Sequence, residues 1–241
     1  MKSFLKNIIR KTLIQLRIPV TKNISYDILT EKILRRELKA DSSCIDVGAH
    51  KGEILESLLR YAPQGKHIAF EPIPYLNNLL KTKFSDKADI HPYALSDHAG
   101  KTEFNLVLDD PAYSGLKKRK YKTETPSIET IQVEVKTLDE VVRNLDRKIA
   151  LIKIDVEGGE FDVLKGAAQL LKRDKPTLIF ECGKGASEYY GSGPGEIYSF
   201  LSRFDYKIYS VTNYLKGPQK LEKEEFIQIF ENRTDYYFIA I

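Results

Sequence analysis

Two kinds of apolar pattern alternate along most of this chain. Short apolar runs rich in β-branched residues predict strands, namely Ser43–Val47, His67–Phe70, Asp89–Leu95, Ile149–Ile154, Pro176–Glu181, Tyr206–Val211 and Tyr236–Ile241. Runs with apolar residues at helical spacing predict helices, namely Glu53–Leu59, Pro74–Phe84, Leu138–Leu145, Glu160–Leu171 and Glu196–Phe204. Strands that alternate with helices of this length predict an α/β fold with a doubly wound, mostly parallel sheet.

Two departures from this alternation predict antiparallel pairing. Thr102–Leu108 and Ile128–Val135 alternate apolar and polar residues with period two, which predicts a β-hairpin inserted around a long polar loop. The last two strands, Tyr206–Val211 and Tyr236–Ile241, lie close in sequence with no clear helical pattern between them. We therefore expect these two strands to pair antiparallel at one edge of the sheet.

The first 25 residues form a basic, amphipathic segment. It carries six cations and no acid before Asp27, and its apolar residues fall at helical spacing up to Pro19, which ends the predicted helix. One interpretation is a helix lying on anionic lipid at the inner face of the membrane. The other, which we favour, is a helix that docks its apolar stripe on the main domain or on a second subunit of a homo-oligomer.

Composition narrows the class of protein without identifying it. The chain has 241 residues, 42% hydrophobic and 30% charged, a net charge of +4 and two cysteines, which together exclude a wholly disordered chain and a disulfide framework. No apolar run reaches the roughly 18 residues of a transmembrane helix, and charges interrupt any secretory signal. We predict a cytoplasmic protein with a helical extension over residues 1–40 and a catalytic domain over residues 41–241.

The first two strand ends suggest a nucleoside cofactor. Gly48 and Gly52 allow a sharp turn after the first strand, and Glu71 follows the second strand 23 residues later, where an acid can bind ribose hydroxyls. The alternative is that Glu71 is a solvated acid at the start of a helix and binds no ligand. His50 stands where a dinucleotide fingerprint has its second glycine, which removes the clearance for a pyrophosphate. A cofactor without pyrophosphate, such as S-adenosylmethionine, therefore fits better than NAD.

The fourth strand end, Lys153–Phe161, carries the most specific motif of the chain. With it, the sequence resembles the FkbM-type S-adenosylmethionine-dependent methyltransferases from about residue 43 to residue 211. The matching stretches are Ile45–Ala49, Phe70–Pro72, Ala94–Asp97, Ile152–Glu160, Val163–Ala167 and the strand ending in Glu181. The resemblance implies the Rossmann-like class I methyltransferase fold, a seven-stranded sheet whose last strand is antiparallel. It also implies methyl transfer to hydroxyl oxygens of sugars or secondary metabolites.

The resemblance also assigns cofactor-binding positions in this chain. Glu71 would bind the ribose, and Ala94, Leu95 and Ser96 would border the adenine. The full set that the resemblance implies is Asp46, Gly48, Ala49, His50, Gly52, Glu71, Pro72, Ala94, Leu95 and Ser96. The family usually has Asn at position 50; His can also hydrogen-bond a carboxylate or the backbone, so binding is expected to survive.

Three carboxylates are the candidate catalytic residues. Asp155, Glu157 and Glu181 follow the central strands, where mutual repulsion would raise the pKa of at least one of them and suit it to act as a base. Alternatively, Asp155 orients the amino group of the cofactor and Glu157 caps the next helix. A divalent cation such as Mg²⁺ would also relieve the repulsion, but no His joins these acids, so we assign no metal ligands.

The leading hypothesis is an S-adenosylmethionine-dependent O-methyltransferase acting on a sugar, glycan or glycolipid precursor or on a secondary metabolite. The alternatives are an NAD-dependent oxidoreductase and a nucleic-acid-modifying methyltransferase; the modest charge makes a nucleic-acid partner the less favoured choice. Asp110–Tyr113 resembles a motif of DNA-methylating enzymes, but it lacks the second proline and lies in the loop, so we discount it. The basic run Lys117–Lys120 suits either a phosphate-bearing acceptor or, preferably, a solvated loop.

Overall fold

A computed structural model describes residues 12–14, 16–121, 125–217 and 219–241. Its strands are β1 (Ser43–Val47), β2 (His67–Phe70), β3 (Ala88–His91), β4 (Tyr93–Leu95), β5 (Gly100–Val107), β6 (Ile128–Lys136), β7 (Ile149–Ile154), β8 (Thr177–Glu181), β9 (Ile208–Ser210) and β10 (Tyr237–Ala240). Its labelled helices are α1 (Lys22–Glu37), α2 (Glu53–Tyr61), α3 (Pro74–Phe84), α4 (Leu138–Val142), α5 (Glu160–Lys165), α6 (Ala168–Asp174), α7 (Pro194–Ser202), α8 (Val211–Tyr214) and α9 (Lys223–Glu231).

The main sheet has seven strands in the order β3-β2-β1-β7-β8-β10-β9. The pairs from β3 to β8 are parallel, and β10 runs antiparallel to both β8 and β9. Helices cover both faces, so successive residues of the central strand are buried on opposite sides: Leu151 of β7 packs with α1, and Ile152 packs with α5 to α7. The predicted α/β fold and the antiparallel edge pair are confirmed.

The predicted third strand, Asp89–Leu95, is in fact two strands in different sheets. β3 joins the main sheet, whereas β4 pairs parallel with β6 in a three-stranded sheet of order β4-β6-β5. Pro92 separates them, because its ring fixes φ and it has no N–H group to donate to a ladder. The predicted hairpin is confirmed, since β5 and β6 pair antiparallel from Gly100 to Val107.

Two helix predictions need correction. The predicted helix Glu160–Leu171 is divided into α5 and α6 near Gly166, where a Cβ atom would lie 2.1 Å from the backbone oxygen of Ser96. The segment between the last two strands, in which no helix was clear, contains α8 and α9. α9 buries Phe226 and Phe230 within a highly charged stretch, so its apolar face is too narrow to stand out in the sequence.

The amino-terminal segment is described only in part. The apolar and basic positions of the predicted first helix up to Lys11 lie outside the described residues, so its docking or lipid contact stays a prediction. Residues 12–14 are helical, and the chain turns at residues 16–17, before Pro19. α1 then packs Tyr26, Ile33 and Leu34 against the sheet. Within the described part of the chain, no helix is long and apolar enough to cross a membrane.

Candidate active site

A cleft of about 1260 Å³ lies at the carboxyl ends of β1, β2, β7 and β8. α1 also lines it, as do residues 110–114, Leu116 and Arg119 from the β5–β6 connection. The predicted site residues that line the cleft are Gly48, Ala49, His50, Glu71, Pro72, Ala94, Leu95, Asp155, Glu157 and Glu181. Three other predicted residues, Asp46, Gly52 and Ser96, are buried behind this lining. The structure therefore brings ten of the thirteen predicted residues to one cavity.

The glycine turn after β1 is held by close backbone packing. Gly48 has a φ of +77°, and a Cβ atom there would lie 1.9 Å from the backbone oxygen of Asp155. The N–H groups of Gly48 and Ala49 both donate to the oxygen of Phe70, at 3.1 and 3.0 Å. Gly52 begins α2 with a φ of +80°, and a Cβ atom there would meet the Phe84 ring at 2.6 Å. Gly52 therefore serves helix packing, and Gly48 brings the turn against the end of β7.

Glu71 is a buried acceptor at the edge of the glycine turn. Its Oε2 accepts a hydrogen bond from the His50 N–H at 2.7 Å, and its Oε1 accepts one from the Ile73 N–H at 2.9 Å. Burial raises the pKa of Glu71 to about 7, although these two hydrogen bonds lower it. A carboxylate has roughly four acceptor positions, so two remain for ribose hydroxyls. The residue fits a nucleoside, and the alternative of a solvated acid is wrong.

His50 presents an unpaired ring nitrogen beside Glu71. Its backbone has a φ of +48°, a conformation that non-glycine residues rarely adopt. Among the described residues, its buried Nε2 has no hydrogen-bond partner. Burial and the nearby Lys51 charge lower the pKa of His50, so the ring is neutral at pH 7 and can donate or accept one hydrogen bond. Such an orphaned group in a cleft is suited to a polar ligand.

The predicted adenine wall is apolar and only partly formed by the predicted residues. Ala94 and Leu95 of β4 line the cleft together with Phe104 of β5. Ser96 lies behind them, where its N–H donates to the Lys136 oxygen at 3.0 Å and its own backbone packs on Gly166. An apolar wall of this kind suits the face of a base.

Strand register places several charged side chains on one face of the sheet. Asp46 of β1 is the partner of Lys153 of β7, and Asp155 lies two residues beyond Lys153. Tyr237 of β10 is the partner of Glu181 of β8. Because side chains two residues apart share a face, these five residues meet on the side of the sheet that α1 covers. We call this set the carboxylate cluster.

Lys153 is the buried countercharge of the cluster. Its Nζ lies 3.4 Å from Asp155 Oδ2 and 3.8 Å from Asp46 Oδ1, and it donates to the Gly48 oxygen at 3.4 Å. The Tyr237 hydroxyl also donates to Asp155. Burial alone would raise the pKa of Asp155, but Lys153 and the Tyr237 hydroxyl hold it below its usual value. Asp155 is therefore ionised at neutral pH.

Glu181 and Glu157 behave in the opposite way. Burial and the Asp155 charge raise the pKa of Glu181 well above its usual value, so its protonated carboxyl can hydrogen-bond to Asp155. Burial, followed by Asp155, raises the pKa of Glu157 to about 8, and its ion pair with Arg119 lowers it. The cap considered for Glu157 is not observed, because α5 begins without a side-chain cap hydrogen bond and Glu157 is paired with Arg119. Glu160 instead holds the turn before α5, where its Oε1 accepts from the N–H groups of Val156 and Gly158 at 2.9 and 3.1 Å.

Sequence reasoning missed four features of this site. Lys153 and Tyr237 were not assigned, and Arg119 was left in a solvated loop. The discounted segment 110–113 also lines the cleft. A lysine inside the most apolar strand was a usable signal for Lys153, because lysine is almost never buried without a partner. No group of three or more His, Cys, Asp or Glu side chains that could hold a metal ion occurs in the described ranges.

The sheet order, the nucleoside-type turn and the acid after β2 define the class I methyltransferase fold. The methyltransferase FkbM domain matches residues 46–208, so the chain belongs to this family. No curated protein matches the chain.

Solved structures are similar in fold at low sequence identity. The methyltransferase FkbM from Methylobacillus flagellatus KT has 14% identity and a TM-score of 0.52, covering 100% of this chain and 60% of that one. Our chain thus spans 60% of the length of that protein. The precorrin-6y C5,15-methyltransferase from Geobacter metallireducens GS-15 has 11% identity and a TM-score of 0.45, covering 89% and 86% of the two chains.

Proposed function

We propose that this chain transfers a methyl group from S-adenosylmethionine to a hydroxyl oxygen of a sugar, glycan or glycolipid precursor or of a secondary metabolite. One observation carries the proposal: in a chain with an FkbM domain, a nucleoside-type wall and the three acids Asp155, Glu157 and Glu181 share one cleft. The nucleoside wall consists of Gly48, Ala49, His50 and Glu71. Methyl transfer needs both parts, since one holds the donor and the other handles the proton of the acceptor.

The nucleoside wall fits S-adenosylmethionine. Glu71 offers two acceptor positions for ribose hydroxyls, and the unpaired Nε2 of His50 offers one further hydrogen bond. The bound cofactor supplies an activated methyl group on a cationic sulfonium. The anionic Asp155 makes the adjoining part of the cleft favourable for a cation.

The proton of the acceptor hydroxyl has to reach a base. Glu157 suits this role, because a pKa raised to about 8 matches a base that works near neutral pH. Asp155 already accepts hydrogen bonds from Lys153 and Tyr237, so it orients groups by charge. The raised pKa of Glu181 favours its protonated form, which supports Asp155 as a hydrogen-bond donor; Glu181 becomes the base only if Glu157 does not act.

Calorimetric titration with S-adenosylhomocysteine and with NAD tests the cofactor. We expect S-adenosylhomocysteine to bind with micromolar affinity, roughly −8 kcal/mol, and NAD not to bind. Glu71→Ala should weaken binding by about 1.5–3 kcal/mol, because it removes a charged acceptor. Glu103→Ala, an exposed acid of β5 outside the cleft, is the matched control. Binding of NAD alone would favour the oxidoreductase alternative.

Methyl-labelled S-adenosylmethionine tests the acceptor. Label should appear on hydroxyls of sugar or glycolipid fractions, whereas label on nucleic acid would overturn the proposal. With an acceptor in hand, single-turnover rates of Asp155→Asn, Glu157→Gln and Glu181→Gln identify the base, whose loss costs about 10²–10⁴-fold. Wild-type rates in all three variants would mean that these three carboxylates are structural. The same rates measured in EDTA, which removes divalent cations, test the alternative that Mg²⁺ takes part.

A further inference from the structure

Arg119 points into the cleft from a segment that is otherwise exposed. The backbone on either side is held by tyrosines, since the Lys117 N–H donates to the Tyr190 hydroxyl at 3.3 Å and the Lys120 N–H donates to the Tyr189 hydroxyl at 3.1 Å. The three lysines of the run 117–120 are exposed. The side chain of Arg119, by contrast, is only 9% exposed and lines the cleft. The basic run therefore contributes one buried cation to the site.

The guanidinium group of Arg119 is only partly satisfied. One terminal nitrogen donates to Glu157 Oε2, and the group lies over the Tyr113 ring, 5.0 Å from its centroid. Its buried Nε has no hydrogen-bond partner within the described part of the chain. A guanidinium is a planar fork of five donors that matches the paired oxygens of a carboxylate or phosphate. A buried donor without a partner costs free energy until a ligand satisfies it.

We propose that Arg119 is a specificity residue that binds an anionic group, a carboxylate or a phosphate, on the methyl acceptor. The inference rests on the proposed function and names the chemical class of its acceptor. Arg119 reaches Glu157, two residues beyond Asp155, whereas the glycine turn packs against Asp155 itself. The anion site therefore lies beside the candidate base.

The Glu157 carboxylate competes with an anionic acceptor for Arg119. In the structure this carboxylate occupies one side of the Arg119 fork. An anionic acceptor that takes Arg119 would leave Glu157 without this ion pair. Because the Arg119 pair lowers the pKa of Glu157, its loss on acceptor binding would raise that pKa, so recognition of the acceptor and the proton affinity of the candidate base are coupled.

The test compares three hexoses that differ in one group: glucose, glucuronate and glucose 6-phosphate. Each is titrated by ligand-observed NMR into the protein saturated with S-adenosylhomocysteine. We expect at least one anionic sugar to bind about tenfold or more tightly than glucose, and the tighter of the two identifies the anion. Arg119→Gln should abolish this preference. Lys118→Gln makes the same charge change on an exposed neighbour and should keep it.

Glu157→Gln gives an opposite and independent readout. At pH 9, where Glu157 is ionised, removal of its competing charge should tighten binding of the anionic sugar, whereas a purely structural Arg119–Glu157 pair predicts no gain. This variant decides the question even if Arg119→Gln fails to fold. Equal binding of the three sugars to the wild-type protein would overturn the proposal, as would equal losses in Arg119→Gln and Lys118→Gln.

Binding of S-adenosylhomocysteine distinguishes failure of the anion site from failure of the proposed methyltransferase function. Arg119→Gln should leave its affinity unchanged; a weakened affinity would assign Arg119 to the cofactor and overturn the acceptor site. If the wild-type protein does not bind S-adenosylhomocysteine at all, the proposed function fails, whatever the sugars do.

Discussion

The two walls of the cleft are built by different means. The nucleoside wall is fixed by backbone contacts: the N–H groups of Gly48 and Ala49 bind Phe70, and that of His50 binds Glu71. The carboxylate cluster is fixed by side-chain charge around Lys153, whose partners are Asp46 of β1 and Asp155, the residue after β7. A wall held by backbone geometry should be sensitive to added atoms and tolerant of pH. A wall held by buried charge should be less sensitive to added atoms and more sensitive to pH.

The largest expected effect is loss of the buried cation. Lys153→Met leaves Asp46 and Asp155 buried without a countercharge, which should cost about 3–5 kcal/mol of unfolding free energy. Without Lys153, the folded-state pKa of Asp46, which burial already raises, rises further, and that of Asp155 rises from its lowered value to above its unfolded value. The destabilisation should therefore grow as the pH rises, and urea denaturation should show a larger loss at pH 8 than at pH 5.

Lys165→Met is the matched control for this first prediction. Lys165 pairs with Asp97 at the surface, where each side chain is 34% exposed, so its loss should cost only about 0–1 kcal/mol. Equal losses for the two lysine variants would show that the cluster is not held by charge.

The second prediction tests the backbone-built wall. Gly48→Ala should destabilise the protein by about 2–5 kcal/mol, because it combines left-handed backbone strain with a collision against Asp155. The loss, measured by urea denaturation, should be the same at pH 5 and pH 8. Gly191→Ala has a similar φ of +68° and nothing within 4 Å of the added Cβ, so it should cost only about 1–2 kcal/mol. If Gly48→Ala lost no more unfolding free energy than Gly191→Ala, close packing of Gly48 against Asp155 would not be what excludes a side chain there.

The third prediction compares two adjacent tyrosines. Tyr237→Phe removes a hydrogen bond to the ionised Asp155 and should cost about 1.5–3 kcal/mol. Tyr236→Phe removes a more exposed bond to Asn23 and should cost about 0.5–1.5 kcal/mol. Denaturation of both variants measures the difference. The reverse order would mean that Tyr237 does not support Asp155.

The smallest effect is the one place where the nucleoside wall should depend on pH. With the pKa of Glu71 raised to about 7, its carboxyl is protonated below that pH and loses acceptor capacity for ribose hydroxyls. Affinity for S-adenosylhomocysteine should be about tenfold weaker at pH 6 than at pH 8. Glu71→Gln cannot titrate, so calorimetry of this variant should show a flat profile. A slope retained in Glu71→Gln would assign the titration to another group.

Short-range features of this chain could be read from its sequence. The bounds of β1, β2, α3 and β7 match their predicted ranges, because each is a run with one clear period between turn residues. The glycine turn and Glu71 were also found, because each directly follows a strand. The placement of the three catalytic candidates in one cleft could be predicted in the same way, since carboxyl ends of parallel strands share one edge.

The roles of these residues depended on the tertiary structure. Tyr237 reaches Asp155 because β10 lies between β8 and β9, an order that no local pattern records. The β5–β6 connection brings Arg119 into contact with Glu157, which lies 38 positions further along the chain. Which acid is ionised was likewise decided by burial and by distance to Lys153, and both belong to the packed molecule.

The sequence by itself determined most strands of the main sheet, the family and the strand ends at which chemistry could occur. Those properties follow from hydrophobic periodicity and from the turn residues next to each strand, which act over a few positions. Only the tertiary structure decided that Asp46, Lys153 and Asp155 form one charged group and that Asp46, Gly52 and Ser96 lie behind the cleft. The reason is physical, because electrostatic energies depend on the distance between charges and on their burial. Strand register and the path of the β5–β6 connection set these distances and this burial.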